Sequence, residues 1–253
     1  LWAVLRFVIG ICLVGLYMVL ESWLNSLAPN EKRAQIFAVY MIVTLGAHAL
    51  GQFLLLLDPG AQANAFGIAA IFFSLGLVPV ALTRLPEPQP VATPALHLKH
   101  LYEISPLSVA GAFAGGLATS SFWALGAVFA YRSGMSGLQI VLFMSVTIMG
   151  GVILQWPIGR LSDHIDRRKI LLVVTLLTVL AASVAASLPA GESGWLYVVM
   201  FLLGGVMFPI YSLSVAYLND RIHTQDALDA SRGLLLMYGG GALLGPILAG
   251  ETM

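Results

Sequence analysis

Eight continuous apolar runs, each roughly twenty residues long, fill most of this chain, and that length is close to what a helix needs to cross a bilayer. They cover approximately 1–20, 34–57, 64–83, 106–131, 138–158, 170–188, 195–218 and 231–250. The runs do not alternate, and each is about twice as long as a barrel strand, so helices are expected. Composition points the same way. Hydrophobic residues make up 59% of the chain and charged residues 9%, against about a quarter charged in a soluble domain. So few charges cannot cover a water-facing surface, and the expected class is an all-α membrane protein with about eight transmembrane helices. The single Cys12 sits in the first run and excludes an internal disulfide framework. That run also carries Arg6 inside it, which does not fit a cleavable signal peptide.

The formal net charge is zero, but the charges are sorted along the chain. Lys32, Arg33, Arg84, Lys99, Arg160, Arg167, Arg168, Lys169, Arg221 and Arg232 lie in or beside the loops after the first, third, fifth and seventh runs. The intervening loops hold only Arg132. Short loops rich in Lys and Arg stay on the cytoplasmic side, so the first set is expected to face the cytoplasm. The same rule accounts for the cluster at 167–169 without a nucleic-acid partner. One connection differs from the rest: 86–105 contains Pro86, Pro88, Pro90 and Pro94, which bar a regular helix through that stretch and mark it as a linker between two bundles.

The densest charged segment runs from Gly159 to Lys169, between the fifth and sixth runs. Its Gly159, Leu161, Asp163, Arg167 and Arg168 resemble the signature loop of major facilitator superfamily transporters, with His164 where a basic residue is usual and Asp166 where glycine is usual. That resemblance implies two six-helix bundles related as parallel repeats, working by alternating access. A gapless self-alignment fits the implied repeat: Val4 falls on Val198, Phe7 on Phe201, Gly10 on Gly204, Tyr17 on Tyr211, Leu24 on Leu218, Asn25 on Asn219, Gly46 on Gly240 and Gly51 on Gly245. In family order the chain is then expected to supply helices 4 to 11, with helices 1 to 3 and 12 outside it. The expected domains are 1–85 (helices 4 to 6), the cytoplasmic linker 86–105, and 106–253 (helices 7 to 11). Arg6 with Gly10 resembles the family's helix-4 pattern. The run Gly241 to Gly250, with Gly245 and Pro246, resembles the helix-5 motif of drug antiporters but falls in helix 11, where close helix packing is the expected role. Glu21-Ser22-Trp23-Leu24-Asn25 and Gln155-Trp156-Pro157 are similar to the bacterial YcaD-like branch, a likeness that names no cargo.

Polar side chains at membrane depth must be satisfied by a partner, water or ligand, so they are the candidate working residues. Arg6, Gly10, Tyr17 and Glu21 fall within about 60° on a helical wheel and form one stripe. Arg6 is the candidate for coupling or anion attraction, set against a structural ion pair. In the second run, Tyr40, Thr44, His48 and Gln52 recur every fourth residue. His48 can titrate near neutral pH or serve as a hydrogen-bonded packing residue. Ser120, Ser121 and Trp123 in the fourth run, with Tyr211 and Ser214 in the seventh, are expected to line an opposite wall. By the resemblance, Glu21, Gly159, Arg160, Asp163, Arg167 and Arg168 form a cytoplasmic gate.

No zinc-spaced His/Glu set, nucleophilic Ser flanked by glycines or intramembrane carboxylate pair is present, so no enzyme, metal or cofactor is expected. The expected function is secondary active transport of a small organic solute at the inner membrane by a monomer. Protons are a candidate co-substrate, although no carboxylate lies mid-span. A non-transporting receptor on the same fold is the alternative.

Overall fold

The computed structural model describes residues 2–27, 33–56, 62–82, 98–188, 194–222 and 227–251. Among them are helices α1 (Trp2–Leu27), α2 (Arg33–Gly51, continued by a 3₁₀ turn, Gln52–Leu56), α3 (Gln62–Leu82), α4 (Leu98–Ile104) and α5 (Pro106–Arg132). They are followed by α6 (Gly137–His164), α7 (Arg167–Ser187), α8 (Gly194–Met207), α9 (Pro209–Asn219) and α10 (Ala227–Glu251). No strand occurs among the described residues. Among the described residues, six segments are long and apolar enough to cross a membrane: Val39–Leu56, Pro106–Arg132, Gly137–His164, Arg167–Ser187, Gly194–Asn219 and Arg232–Glu251. Phe7–Tyr17 and Phe66–Leu82 are shorter apolar stretches. Every expected run is therefore helical, and the protein is an all-α membrane protein.

Three local departures from the expected runs have physical causes. The seventh run is divided at Phe208, because Pro209 has no N–H to give to the carbonyl of Gly205. Phe208 itself keeps helical angles (φ −63, ψ −36) and its N–H still reaches Gly204 O at 3.2 Å. α6 runs on to His164, well past the apolar stretch, since its charged end remains helical in solvent. The four prolines of the expected linker lie outside the described residues, while its final part forms α4. Ser105 then caps α5, its hydroxyl accepting from the Ser108 N–H at 3.4 Å, and Pro106 stands at the first turn, where a missing N–H costs nothing.

The chain divides into two compact units, one of Leu1–Thr44 with Ala63–Thr93, the other of Leu45–Gln62 with Pro94–Met253. In the first, the described side chains of α3 are almost all exposed, as apolar helices facing lipid are. Ser74 returns its hydroxyl to Ala70 O at 2.9 Å, which leaves no bare donor on that surface.

The second unit contains three buried clusters. Phe122, Phe143, Met144, Ile148, Met200 and Met207 belong to the largest; Leu171, Val174, Ile210 and Leu213 to another; and Leu101, Val109, Ala112, Leu218 and Leu234 to the third. Helix ends are closed by their own side chains. Ser136 and Gln139 form a reciprocal capping box on α6, and Asp166 accepts from the Arg168 N–H at 2.9 Å to cap α7. Buried hydroxyls turn back on their own helices: Thr147 donates to Phe143 O, Thr178 to Val174 O and Ser214 to Ile210 O, at 2.7 to 2.9 Å. One hydroxyl instead ties distant segments: Ser145 donates to Ala49 O at 3.0 Å, holding the end of α2 on α6.

Glycines set the helix crossings of this unit. A Cβ on Gly116 would collide with Tyr238 O, one on Gly241 with Phe113 O and one on Gly245 with Leu117 O, so α5 and α10 meet backbone to backbone. Gly150 stands in the same way against Phe201 O, and Gly204 against Thr147 O, where α6 crosses α8. Such approach is how membrane helices gain packing without a hydrophobic drive between them. Gly250, by contrast, would meet only Leu125, at 3.9 Å.

Gly241→Ala is expected to lower the unfolding free energy by about 1–3 kcal/mol, the cost of overpacking against an immovable carbonyl. Gly239→Ala, whose added methyl meets nothing within 4 Å, is expected to be neutral or slightly stabilising. Denaturant titration of the purified protein, followed by helical circular dichroism, checks both.

Candidate functional site

The segment between α6 and α7 is a compact charged turn. Arg167 donates from Nη2 to Asp163 Oδ1 at 2.7 Å and forms an ion pair with Asp220, Nε to Oδ2 3.3 Å, so one guanidinium joins the end of α6, the start of α7 and the residue after α9. Gly159 contributes its carbonyl, which accepts from the Ser162 hydroxyl at 2.7 Å. Arg160 lies 5.5 Å over the Trp156 ring. The Arg168 side chain is exposed. Asp166 replaces the usual glycine without strain, because it adopts φ −47, ψ 111, and among the described residues only Gly134 has a positive φ. Of the expected gate residues the structure therefore brings Asp163 and Arg167 together and adds Asp220.

Rings and hydroxyls from several helices meet deeper in the second unit. Trp123 lies 5.4 Å from the His48 ring, 5.5 Å from Phe122 and 6.2 Å from Phe208. Tyr211 meets Tyr238 edge-on at 4.9 Å, and Thr119 lies beside the Tyr238 side chain. Gln52, half-buried, opens the 3₁₀ turn that follows α2.

Two of the expected wall residues sit elsewhere. Ser214 is fully buried, with Gly111 of α5 packed against its hydroxyl, so it occupies the seam between α5 and α9. Ser120 donates to Leu117 O at 3.3 Å and, like Ser121, packs against Gly245 at the crossing with α10. Both hydroxyls are thereby satisfied within helix seams rather than offered to a cavity. Tyr17 is half-buried on α1 in the first unit. Arg6 and Glu21 also belong to α1, but their side chains lie outside the described residues. Pro246 and Gly250 lie in α10, the former without dividing the helix.

Asp220, Tyr238, Thr119 and Phe208 escaped the sequence reading. Asp220 had a signal in the acidic residue directly after Leu218-Asn219, the pair that closes the repeat. Tyr238 had one in its spacing, three residues before Gly241 on the face that meets α5. Among the described residues, no group of three His, Cys, Asp or Glu side chains stands close enough to hold a metal.

Long apolar helices packed on glycine crossings, with charges gathered at helix ends, define a polytopic membrane protein. The chain belongs to the Major Facilitator Superfamily, whose family model matches residues 1–246. It is similar to proteins named "Uncharacterized MFS-type transporter YcaD" from Salmonella arizonae and from Salmonella typhimurium, being 27% identical to each over 258 residues. Those alignments cover 100% of this chain and 65% of each relative, so the chain spans just under two thirds of their length. No solved structure matches. A superfamily member with several apolar helices and bacterial relatives is a multi-pass protein of the inner membrane.

Because both Asp163 and Asp220 are largely exposed, their pairing with Arg167 is expected to contribute little to stability, no more than about 1 kcal/mol each. A double-mutant cycle on Arg167→Gln and Asp220→Asn, read by thermal unfolding in detergent, measures that coupling.

Proposed function

We propose that the protein carries a small organic solute across the inner membrane as a secondary active transporter, by alternating access. The observation that carries this reading is Arg167, which ties the ends of three helices through half-exposed ion pairs in the loop where the superfamily has its signature. Pairs of that kind are weak individually and break without exposing an uncompensated buried charge, as a gate that opens repeatedly requires. In this reading the loops bearing Lys32, Lys99, Arg167 and Arg221 face the cytoplasm, and Asp163, Arg167 and Asp220 help to hold that face closed. Residues 1–85 and 106–253 belong to the two bundles joined by 86–105. Arg6, at membrane depth in α1, supplies coupling or anion attraction, and a proton is the candidate driving ion. The protein acts as a monomer and performs no covalent chemistry on its solute.

Single cysteines placed at 164 and 221, in a background lacking Cys12, test the orientation and the gate together. An impermeant thiol reagent should fail to label them in intact cells and should label them in inverted membranes. Arg167→Ala and Asp220→Ala should each raise that labelling by shifting the equilibrium toward the inward-open form. Labelling from outside would overturn the orientation. Unchanged accessibility in both variants would leave the loop with no gating role.

A further inference from the structure

The expected aromatic residues of this fold do not all do the same thing. Tyr131, Trp156 and Trp195 are 74%, 69% and 71% exposed, and the first and last stand at helix ends, where an interfacial belt is expected. Phe122 is the opposite case, 7% exposed and wholly part of the core. Trp123 is neither. It lies more than two turns inside α5, rests on Phe122 and Phe208, has the His48 ring beside it, and still leaves 37% of its surface uncovered. Trp156 is also exposed well inside its helix, so what sets Trp123 apart is the set of three rings, Phe122, Phe208 and His48, gathered against it.

A second tier lies beside the first. Thr119 precedes Trp123 by four residues on α5, and Tyr211 follows Phe208 by three, so each is one helical turn, about 5.4 Å, from its counterpart. Thr119 lies beside Tyr238, and Tyr238 meets Tyr211 edge-on at 4.9 Å. Both tyrosines are partly exposed. The contact of Gly116 with Tyr238 O brings α10 close enough for this to happen, and the contact of Gly151 with the Phe208 ring seats the other tier.

The surface so formed offers π faces, ring edges and phenolic hydroxyls. The described carboxylates of this unit, Glu103, Asp163, Asp166, Asp220 and Glu251, all lie at helix ends, far along the sequence from either tier. A flat aromatic solute would stack on Trp123 and meet ring edges, and a positive charge on it would gain further from the ring faces.

We propose that Trp123, with Phe208 and His48, and the Tyr211–Tyr238 pair form the binding surface for a planar aromatic solute that is neutral or cationic. The proposal rests on the transport reading above, for which it names the class of solute. Trp123 supplies the stacking face, Tyr238 a hydroxyl, and Phe122 the floor beneath.

The test uses four probes and the full-length protein, purified and also reconstituted into liposomes. Indole is a neutral ring, tryptamine a cationic ring, hexylamine a cation without a ring, and indole-3-acetate an anionic ring. Calorimetry should give saturable binding of indole and tryptamine at least about tenfold tighter than of the other two, a difference of ~1.4 kcal/mol. Trp123→Ala should weaken tryptamine binding by about tenfold or more, ~1.4 kcal/mol, while Trp123→Phe, which keeps a ring, retains most of it. Tyr238→Phe should weaken binding less than Trp123→Ala does, since it removes a hydroxyl and leaves the ring. Retained binding in Trp123→Phe shows that loss in the alanine variant is not misfolding.

Equal binding of hexylamine and indole, no saturable binding of either ring probe, or an unaffected Trp123→Ala variant would each overturn the proposal. Uptake by the liposomes separates this from the transport reading. Ring-selective, Trp123-dependent binding with no solute movement upholds the site and overturns transport. Movement of a ringless solute by Trp123→Ala at the wild-type rate upholds transport and overturns the aromatic site.

Discussion

Direct contact of backbone with backbone is the constraint on which the second unit depends. Between apolar helices in lipid there is no water to expel, so association rests on van der Waals contact, and contact is best where no side chain stands between the two chains. Gly116, Gly241 and Gly245 provide this for α5 and α10, and Gly150 and Gly204 for α6 and α8. Everything assembled on those pairs takes its position from them. The ring pair Tyr211–Tyr238 needs α10 at its present distance from α5, and Phe208 needs Gly151. A further consequence is low conformational cost: a crossing made of main chain has no rotamers to freeze.

The second requirement of hydrocarbon, that every polar group be satisfied nearby, explains where the polar side chains go. Serine and threonine in these helices mostly bond to carbonyls three or four residues back, as Thr147, Thr175, Thr178 and Ser214 do. They are thereby removed from the set of groups that can address a solute. That is why Ser120 and Ser214, polar and at membrane depth, belong to seams.

The fold was largely legible in the sequence because the decisive signal, continuous apolarity over the width of a bilayer, is one-dimensional. A helix lies on each of the eight runs, and among the described residues six segments are long and apolar enough to cross a membrane. The ends were blurrier, since Arg160 and Asp163 continue α6 beyond the apolar stretch and composition does not register a helix that goes on into solvent. Pro209 was visible but, like Pro157, Pro246 and Pro79, sits inside an apolar run, and the sequence offers nothing to distinguish the one that divides its helix from the three that do not. The site was less legible for a different reason. Trp123, Tyr211 and Asp163 could be picked out as isolated residues, but Tyr238 and Asp220 matter through partners on other helices, and pairing across helices is three-dimensional information. Ser214 shows the converse, a residue with suitable chemistry whose neighbour Gly111 leaves it no open side.

The basic residues expected to orient the chain were counted as charges, each equivalent to the next. The structure separates them into two kinds. Arg168 and Lys169 are exposed on the first turn of α7, and positive charge is all their position asks of them. Arg167 presents Nη2 to one carboxylate and Nε to another, two edges of one rigid plane aimed in different directions. A lysine there would keep the charge, but its single nitrogen lacks the rigid plane that sets Nη2 against one carboxylate and Nε against the other. Within three consecutive residues, then, the chain carries a pair whose requirement is a sign and a neighbour whose requirement is a shape.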